Sequence, residues 1–285
     1  MGGITRGAFA PVKRFLILAL VLVATAACST TETLEPARPA VAAYPTKFAA
    51  IVIDGASGRT LYAANANEQR YPASLTKMMT LYLVFHAIDS GKLSRDTLIP
   101  MTVNGAKRPP SKLGLKPGQT ISVDQAIRAL VVKSANDVAT AVAEYMAEGS
   151  EDRFAAAMTA HARSLGMTGT VFKNASGLPD PGQVTTAADM ARLSVALKRR
   201  FPHHYHYFSN RSFSLDGKEI RGHNKVLEMV GGADGIKTGY TRASGFNLAT
   251  SVTRNGRYVV GVVMGEDTAK IRDQRMAQLI MQYAR

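Results

Sequence analysis

The sequence predicts a mixed α/β fold of the α+β type, in which an antiparallel sheet is flanked by helices and carries an inserted, all-helical lobe. Three observations predict it. Short apolar segments bounded by turn residues lie near both ends of the chain, segments with helical periodicity fill the middle, and a last amphipathic segment closes the chain. Because strands from both ends need partners, we expect them to share one sheet with the helical middle packed beside it.

The strands are predicted from short apolar segments and from the turn residues that separate them. Phe48–Asp54 and Thr60–Ala64 flank the turn Gly-Ala-Ser-Gly at residues 55–58. Near the other end of the chain, the pair Asn255-Gly256 is typical of a tight hairpin turn, so the segments on its two sides are predicted to pair. The three predicted C-terminal strands are Ile236–Tyr240, Phe246–Arg254 and Arg257–Met264.

The helices are predicted from apolar residues that recur every three or four positions. In Ser74–Ile88, residues such as Met78 and Phe85 would form one apolar face, and Gly91 would end the helix. The other predicted helices are Val123–Val132, Ala135–Met146, Asp152–Leu165, Thr186–Arg199 and Asp267–Tyr283.

The first 28 residues have the pattern of an export signal. Lys13 and Arg14 precede an apolar run that is short for a membrane span, and small residues follow it. Two endings stay open: cleavage after Ala24-Thr25-Ala26, as in a soluble secreted protein, or lipidation of Cys28, as in a bacterial lipoprotein. Residues 29–45 are rich in Ser, Thr, Ala and Pro, which predicts a flexible linker. We therefore expect an exported protein that is periplasmic or associated with the cell envelope.

Composition and charge narrow the class of protein. Hydrophobic residues make up 46% and charged residues 20% of the chain, which is enough for a packed core. The net charge is +14, and loss of a leader that carries Arg6, Lys13 and Arg14 leaves +11. Such a charge serves solubility or favours an anionic partner, and we expect no nucleic acid because the basic residues are scattered and no binding motif occurs. With Cys28 as the single cysteine, an internal disulfide is excluded.

The first motif with catalytic potential is Pro72–Lys77, in which Ser74 and Lys77 are three residues apart. At the start of a helix this spacing puts the hydroxyl and the amine on one face. A neutral amine can take the proton of a serine, and burial, a nearby cation and the helix dipole all lower the pKa of a lysine. The alternative is an N-capping serine beside a solvated lysine, since this spacing occurs by chance roughly once in a chain of this length.

The second motif is Ser134–Asn136, which lies where one predicted helix ends and the next begins. Ser134 would relay a proton between Lys77 and a leaving amine, while Asn136 would hold the peptide backbone of a substrate. A role for Ser134 as a helix N-cap is the alternative, and the two roles are compatible.

The third motif is Lys237–Gly239, on a predicted strand. There Lys237 and Gly239 would share one face, with Thr238 on the other. Gly239 would let a substrate backbone approach closely, because it has no Cβ. Lys237 would supply a positive charge for a substrate carboxylate and disfavour protonation of Lys77. The alternative is an ordinary edge strand, but this motif is the rarest of the three by chance.

In combination, the motifs resemble the set of penicillin-binding proteins and class A β-lactamases, whose second element is Ser-Asp-Asn where this chain has Ser134-Ala135-Asn136. From about residue 45 onward, the chain resembles the low-molecular-weight penicillin-binding proteins, specifically the serine D-Ala-D-Ala carboxypeptidase family of the penicillin-binding transpeptidase and β-lactamase superfamily. The segment Phe172–Leu178 resembles these peptidases and does not resemble a β-lactamase. The other matching segments are Pro72–Thr80, Lys133–Asp137 and Asp234–Thr241.

The resemblance implies a β-lactamase/transpeptidase-like fold over residues 46–285, without the C-terminal β domain that many family members carry. By the same resemblance, Ser74 attacks the carbonyl between two D-alanines of a peptidoglycan stem peptide, Lys77 accepts its proton, and water hydrolyses the acyl-enzyme. The oxyanion hole would use the N–H groups of Ser74 and Tyr240. Penicillin would acylate Ser74, and neither a metal nor an organic cofactor is implied. The substrate-binding residues that we expect are Asn136, Lys237, Thr238, Gly239 and Tyr240.

Other activities stay open on the sequence. A D,D-endopeptidase would cut peptidoglycan crosslinks with the same residues. A β-lactamase is less favoured, because it needs a further acid to activate water and no Glu-x-x-Leu-Asn pattern occurs in the helical middle. A non-catalytic wall-binding or β-lactam-sensing module is disfavoured because all three motifs are intact. For His203, His204 and His206 metal binding is conceivable, but we expect a surface or lobe-junction cluster, because we expect no nearby acid or cysteine to complete a ligand set.

Overall fold

The computed structural model describes residues 2–3 and 46–284. The expected export signal, apart from Gly2 and Gly3, the linker at 29–45 and the lipidation of Cys28 therefore lie outside the described residues. Tyr44–Arg285 forms one compact unit. In the part of the chain that the structure describes, no helix is both long and apolar enough to span a membrane.

A five-stranded antiparallel sheet forms the centre of this unit, in the order β2-β1-β9-β8-β7. The first strand pairs with the last, with Ala49 opposite Met264, which confirms that the two ends of the chain share one sheet. Asn255 and Gly256 join β8 to β9 and both have positive φ, as a type I′ turn requires. The strands are β1 (Ala49–Asp54), β2 (Thr60–Ala64), β7 (Ala233–Thr241), β8 (Gly245–Arg254) and β9 (Arg257–Glu266).

Eight α-helices are described, and helices pack on both faces of the sheet. Along β1, Ile51 and Ile53 face the larger core with the inserted lobe, while Ala50 and Val52 face a smaller core under the last helix. Strands buried on both faces explain the nearly continuous apolar runs in the sequence. The helices are α1 (Lys77–Asp89), α2 (Val103–Ala106), α3 (Val123–Arg128), α4 (Asn136–Met146), α5 (Glu151–Ser164), α6 (Ala187–Arg200), α7 (Val226–Met229) and α8 (Ala269–Tyr283).

The inserted lobe is mainly helical and lies between β2 and β7 in the sequence. Helix α1 is buried along almost its whole length, which fits a helix that is apolar on all sides. The lobe also contains a small antiparallel pair, β3 (Leu98–Pro100) and β4 (Thr120–Ser122), and a second pair, β5 (Ser212–Leu215) and β6 (Lys218–Arg221), precedes β7. We did not predict these strands, because three or four residues are too few for a recognisable alternation.

Two predicted helices are interrupted where they meet the cleft. The segment predicted as one helix from Ser74 begins with a 3₁₀ turn, Ala73–Thr76, before α1. The segment predicted to run to Val132 changes from α3 into a π-turn, Ala129–Lys133, which ends at Ser134 in the left-handed region with φ 59°. Both irregularities lie at motifs that carry hydroxyl groups, and such local departures are common at functional sites.

Candidate active site

A cleft of about 770 Å³ lies between strand β7 and the inserted lobe. Ser74 lies in this cleft, on the 3₁₀ turn that precedes α1. Its Oγ is 3.1 Å from Nζ of Lys77, so the spacing of three residues brings hydroxyl and amine together as predicted for one helix face. The lining also contains Ser134, Asn136, Thr238, Gly239 and Tyr240, so the three sequence motifs meet in one cleft.

Lys77 is fully buried, and its amine is surrounded by acceptors. Besides Ser74 Oγ, Nζ is 2.8 Å from Oδ1 of Asn136 and 2.5 Å from the carbonyl oxygen of Ser176. A neutral amine has two hydrogens and one lone pair. It can therefore donate to these two oxygens and accept the hydroxyl hydrogen of Ser74.

The charge state of Lys77 is set mainly by burial. Burial and, after it, the charge of Lys237 hold the pKa of Lys77 well below its usual range. Asp137 and Glu151 act in the opposite direction and raise that pKa. The lowered pKa favours the neutral amine, which is the form that can accept a proton.

Ser134 takes up an unusual conformation at the end of the π-turn. Its φ of 59° is uncommon for a residue with a Cβ, and Oγ is buried without a hydrogen-bond partner among the described residues. The N-cap of α4 is Ala135, so the alternative of a capping role for Ser134 is wrong. A strained backbone and a buried, unpartnered hydroxyl on a residue that lines the cleft suit a group that serves a ligand.

Asn136 begins helix α4 and connects Lys77 to a loop of the lobe. While Oδ1 accepts from Lys77, Nδ2 donates to the carbonyl oxygen of Pro109 at 3.0 Å. Its backbone N–H donates to Ser111 at 2.7 Å, which holds the same loop. One lone pair of Oδ1 and one hydrogen of Nδ2 remain for a substrate, because each atom of the amide can make two hydrogen bonds.

Strand β7 forms the opposite wall, and Gly239 brings it against the serine. A Cβ on Gly239 would lie 3.0 Å from the amide nitrogen of Ser74. Tyr240 is exposed beside it and stacks on Phe246, with 4.1 Å between ring centroids. A side chain at position 239 would push the strand and the turn apart by a few tenths of an ångström, so glycine suits this close approach.

Lys237 is buried, and its Nζ donates to the Thr238 carbonyl oxygen at 3.0 Å. Burial and then the charge of Arg272 lower the pKa of Lys237 to about 7. In the absence of a ligand, its amine is therefore close to half protonated near neutral pH.

Three residues that the sequence reasoning did not single out also build the site. Gly177 lies against the peptide before Ser74, and it belongs to Phe172–Leu178, the segment that carried part of the resemblance. Asn247 is fully buried on β8 and donates from Nδ2 to the carbonyl oxygens of residues 71 and 72. Arg272 is almost fully buried and lines the cleft from α8. No local pattern marks Asn247 or Arg272, since their partners are distant in the sequence.

One group of side chains away from the cleft could hold a metal ion. Oδ1 of Asp89 is 2.9 Å from Nε2 of both His203 and His204, so the expectation that no acid joins these histidines is wrong. However, Nδ1 of His204 faces the guanidinium of Arg95 at 3.4 Å. A histidine that binds a metal needs an acceptor at its other nitrogen, so a hydrogen-bonded anchor between α1 and the turn after α6 fits this arrangement better.

Comparison with known proteins identifies the family. Residues 35–268 match the peptidase S11 family model, whose description is D-alanyl-D-alanine carboxypeptidase. The chain belongs to this family, which confirms the family and the fold that the motifs predicted.

Two curated relatives illustrate the similarity. D-alanyl-D-alanine carboxypeptidase DacD of Salmonella typhimurium is 37% identical over 237 residues, which cover 81% of this chain and 60% of the relative. DacD of Escherichia coli is also 37% identical over 237 residues and is covered to 61%. The chain thus spans about three fifths of the length of these relatives.

Solved structures show the same fold. Penicillin-binding protein 6B from Escherichia coli superposes with a TM-score of 0.78 at 34% identity, covering 87% of this chain and 79% of that one. Penicillin-binding protein 5 from Haemophilus influenzae gives a TM-score of 0.78 at 31% identity, covering 82% and 69%. Penicillin-binding protein D2 from Listeria monocytogenes in its ampicillin-bound form gives 0.75 at 30% identity, covering 82% and 95%.

Proposed function

We propose that this chain is a serine-type D-Ala-D-Ala carboxypeptidase, which removes the terminal D-alanine from peptidoglycan stem peptides through an acyl-enzyme on Ser74. The observation that carries the proposal is the 3.1 Å contact between Ser74 Oγ and the fully buried amine of Lys77 in an open cleft. The activity in the names of the relatives supports it.

In acylation, Lys77 takes the hydroxyl proton while Ser74 Oγ bonds to the carbonyl carbon between the two D-alanines. The carbonyl oxygen becomes an oxyanion, which the N–H groups of Ser74 and Tyr240 stabilise. The C–N bond then breaks, and Ser134 passes the proton from Lys77 to the leaving D-alanine amine. Water later attacks the ester, Lys77 again acts as base, and Ser74 is restored.

Substrate binding is assigned to strand β7 and to the cleft wall around Asn136. Lys237 and Arg272 would attract the carboxylate of the terminal D-alanine, and Thr238 would donate a hydrogen bond to it. Burial and Arg272 lower the pKa of Lys237, and a bound carboxylate would raise it again and so restore the charged form of the amine. Gly239 would let the substrate backbone lie along β7, and the Asn136 amide would bind a peptide group of the stem.

β-Lactam antibiotics are proposed as covalent inhibitors of the same serine. Penicillin-binding protein D2 from Listeria monocytogenes has been crystallised in ampicillin-bound and cefotaxime-bound forms. The strained amide of a β-lactam would occupy the place of the scissile peptide bond and acylate Ser74. Neither a metal nor a cofactor has a part in these steps.

The proposed location is the cell envelope. A chain that acts on peptidoglycan must leave the cytoplasm, and the charged and apolar pattern of residues 1–28 supplies an export signal for it. Cleavage of that signal and lipidation of Cys28 are the two proposed fates. The mass of the N-terminal peptide of protein purified from its native host distinguishes them.

Labelling with a fluorescent penicillin tests the proposal. The wild type should bind one label per chain, Ser74→Ala should bind none, and Ser164→Ala, on an exposed position of α5, should match the wild type. Labelling of Ser74→Ala at the wild-type level would refute the assignment of the nucleophile.

Three substrates separate the activities that share these residues. Release of D-alanine from a stem pentapeptide identifies the carboxypeptidase, and cleavage of a crosslinked stem dimer identifies the endopeptidase. Rapid turnover of nitrocefin, in place of a stable acyl-enzyme, would instead identify a β-lactamase.

A further inference from the structure

Glu151 is a buried carboxylate that the proposed reaction does not use. It is the first residue of α5, its side chain is 8% exposed, and the positive end of the helix dipole favours its charge. Oε1 accepts from Thr140 Oγ1 at 3.2 Å and from the N–H of Ala175 at 3.1 Å, and Oε2 pairs with the guanidinium of Arg108. The carboxylate thus joins three segments of the lobe.

One of these bonds leads to Lys77 through the backbone. The peptide groups of Ala175 are held from two sides, since its N–H donates to Glu151 and its carbonyl oxygen accepts from Thr80 Oγ1 at 2.7 Å. The next carbonyl, that of Ser176, accepts from Nζ of Lys77. Oδ1 of Asn174 also holds this segment, since it accepts from the N–H groups of Ser176 at 3.2 Å and Gly177 at 2.7 Å. The direction of the Ser176 carbonyl therefore depends on the bond from Ala175 to Glu151 together with these bonds to Asn174.

The ion pair of Glu151 with Arg108 is connected to the same Lys77 amine through Asn136. Arg108, which is paired with Glu151, precedes Pro109, and the carbonyl oxygen of Pro109 holds Nδ2 of Asn136. Oδ1 of Asn136 in turn accepts from Lys77. Both acceptors that orient the Lys77 amine are thus connected to Glu151.

We propose that Glu151 is a positioning residue, which fixes the Ser176 carbonyl and the Asn136 amide around the Lys77 amine from outside the cleft. The role of Lys77 as a base rests on the proposed function, but the placement of its amine does not. Gly177 and residues 109–111 both line the cleft, and the Glu151 carboxylate contacts the segments that carry them, through Ala175 and Arg108.

Charges that face Lys77 act from three elements. Lys237 on β7 lowers the pKa of Lys77, whereas Asp137 on α4 and Glu151 on α5 raise it. The carboxylate of Asp137 is occupied by backbone N–H groups at residues 113, 114 and 138. Glutamine at position 151 would keep Oε1 as an acceptor but would remove the charge and the ion pair with Arg108.

A matched control exists in the next long helix. Asp189 lies in the first turn of α6, is 2% exposed and accepts from Gly169 N–H at 2.9 Å and Thr170 Oγ1 at 2.7 Å. It also pairs with Arg192, so its bonding is like that of Glu151, but none of these contacts reaches Lys77. Asp189→Asn therefore reports the cost of losing a buried helix-start carboxylate alone.

The test compares Glu151→Gln, Glu151→Ala and Asp189→Asn with the wild type in full-length protein. Lys77 is titrated by NMR of ¹³Cε-labelled lysine, assigned with a Lys77→Arg variant, and acylation by penicillin is followed against pH. Glu151→Gln should lower the pKa of Lys77 and move the acid limb of acylation to lower pH. Its maximal acylation rate should fall by about tenfold, because small displacements of catalytic groups are costly.

Glu151→Ala should reduce the acylation rate more than Glu151→Gln does, since it removes both Oε1 bonds. Asp189→Asn should lower the unfolding temperature but change neither the NMR titration of Lys77 nor the pH dependence of acylation. The inference is overturned if Glu151→Gln and Glu151→Ala both keep the wild-type pKa of Lys77 and the wild-type acylation rate. It is also overturned if Asp189→Asn changes the pKa of Lys77 as much as Glu151→Gln does. Absence of acylation in the wild type would refute the proposed function instead, and the NMR titration would still decide the placement of Lys77.

Discussion

Gly177 lies directly against the carbonyl group of Ala73: a Cβ on Gly177 would be 1.9 Å from the Ala73 oxygen and 2.9 Å from the Ser74 nitrogen. Gly177 has a φ of +83°, and Ala73 is itself in the left-handed region with a φ of 48°. The peptide that carries the serine is therefore confined by the backbone of the neighbouring segment, and no side chain fits between them.

The first prediction concerns this contact. Gly177→Ala should displace the Ala73–Ser74 peptide, cost roughly 3 kcal/mol of unfolding free energy and reduce penicillin acylation at least tenfold. Gly217→Ala is the control, because Gly217 has a φ of +75° with open space around it, and should cost only about 1 kcal/mol without changing acylation. Denaturant unfolding and acylation kinetics measure both, and equal acylation of the two variants would contradict the prediction.

Replacement of Ser134 by glycine or alanine should separate the cost of its backbone strain from the contribution of its hydroxyl group to acylation. Ser134→Gly should unfold at a higher denaturant concentration than Ser134→Ala, because glycine adopts the φ of 59° without a penalty of about 1 kcal/mol. Both variants lose the hydroxyl, so both should acylate about 10²-fold more slowly than the wild type. If Ser134→Gly acylates at the wild-type rate, Ser134 is not the proton relay.

Lys77→Met should slow acylation by about 10²–10⁴-fold, because no other base contacts Ser74 Oγ among the described residues. The fold should survive, since methionine fills a similar volume and no longer buries an amine. Lys92→Met, at an exposed position after α1, is the control and should match the wild type. Mass spectrometry of the penicilloyl-protein gives the rates, and a wild-type rate for Lys77→Met would exclude Lys77 as the base.

Stability should depend on pH through Lys237. Burial lowers the pKa of Lys237 from 10.5 to about 7, so the unfolded chain binds more protons than the folded chain between these values. The resulting cost to stability is full below pH 7 and disappears as the pH rises towards 10.5. Lys237→Met removes this cost and should raise the unfolding free energy at pH 7 by about 2 kcal/mol, with a smaller gain at pH 10.

Chemical denaturation at several pH values measures the gain, with Lys218→Met on the exposed hairpin as the control. D-Alanine release should fall sharply in Lys237→Met despite its higher stability, because the cation for the substrate carboxylate is lost. If Lys237→Met raised the unfolding free energy equally at pH 7 and pH 10, the lowered pKa of Lys237 would be contradicted.

Much of the sheet could be predicted from local patterns. The Asn255-Gly256 turn and the apolar segments beside it define the β8–β9 hairpin, which the structure confirms. Six of the eight described α-helices were also predicted, with ends displaced by one or a few residues, whereas the four-residue helices α2 and α7 were not. Such features depend on neighbours in the sequence, which is why a single chain reveals them.

Contacts between distant residues could not be predicted in this way. Asn247 holds the turn at residues 71–72 from 175 positions away, and Glu151 reaches Arg108 across 43 positions. The left-handed conformation of Ser134 is likewise imposed by packing, since serine itself has no preference for it. The sequence marks which side chains carry chemistry more clearly than it marks those that orient them.

The strand order β2-β1-β9-β8-β7 has a consequence for how the molecule acquires its shape. The edge of β1 that faces β9 stays open until residues 257–266 have been made, more than 200 positions after β1. The cleft wall that carries Gly239 is likewise made 165 positions after Ser74. Closing such long loops is entropically expensive and slows folding. The sheet therefore remains incomplete, and the cleft unformed, until the β8–β9 hairpin has been added.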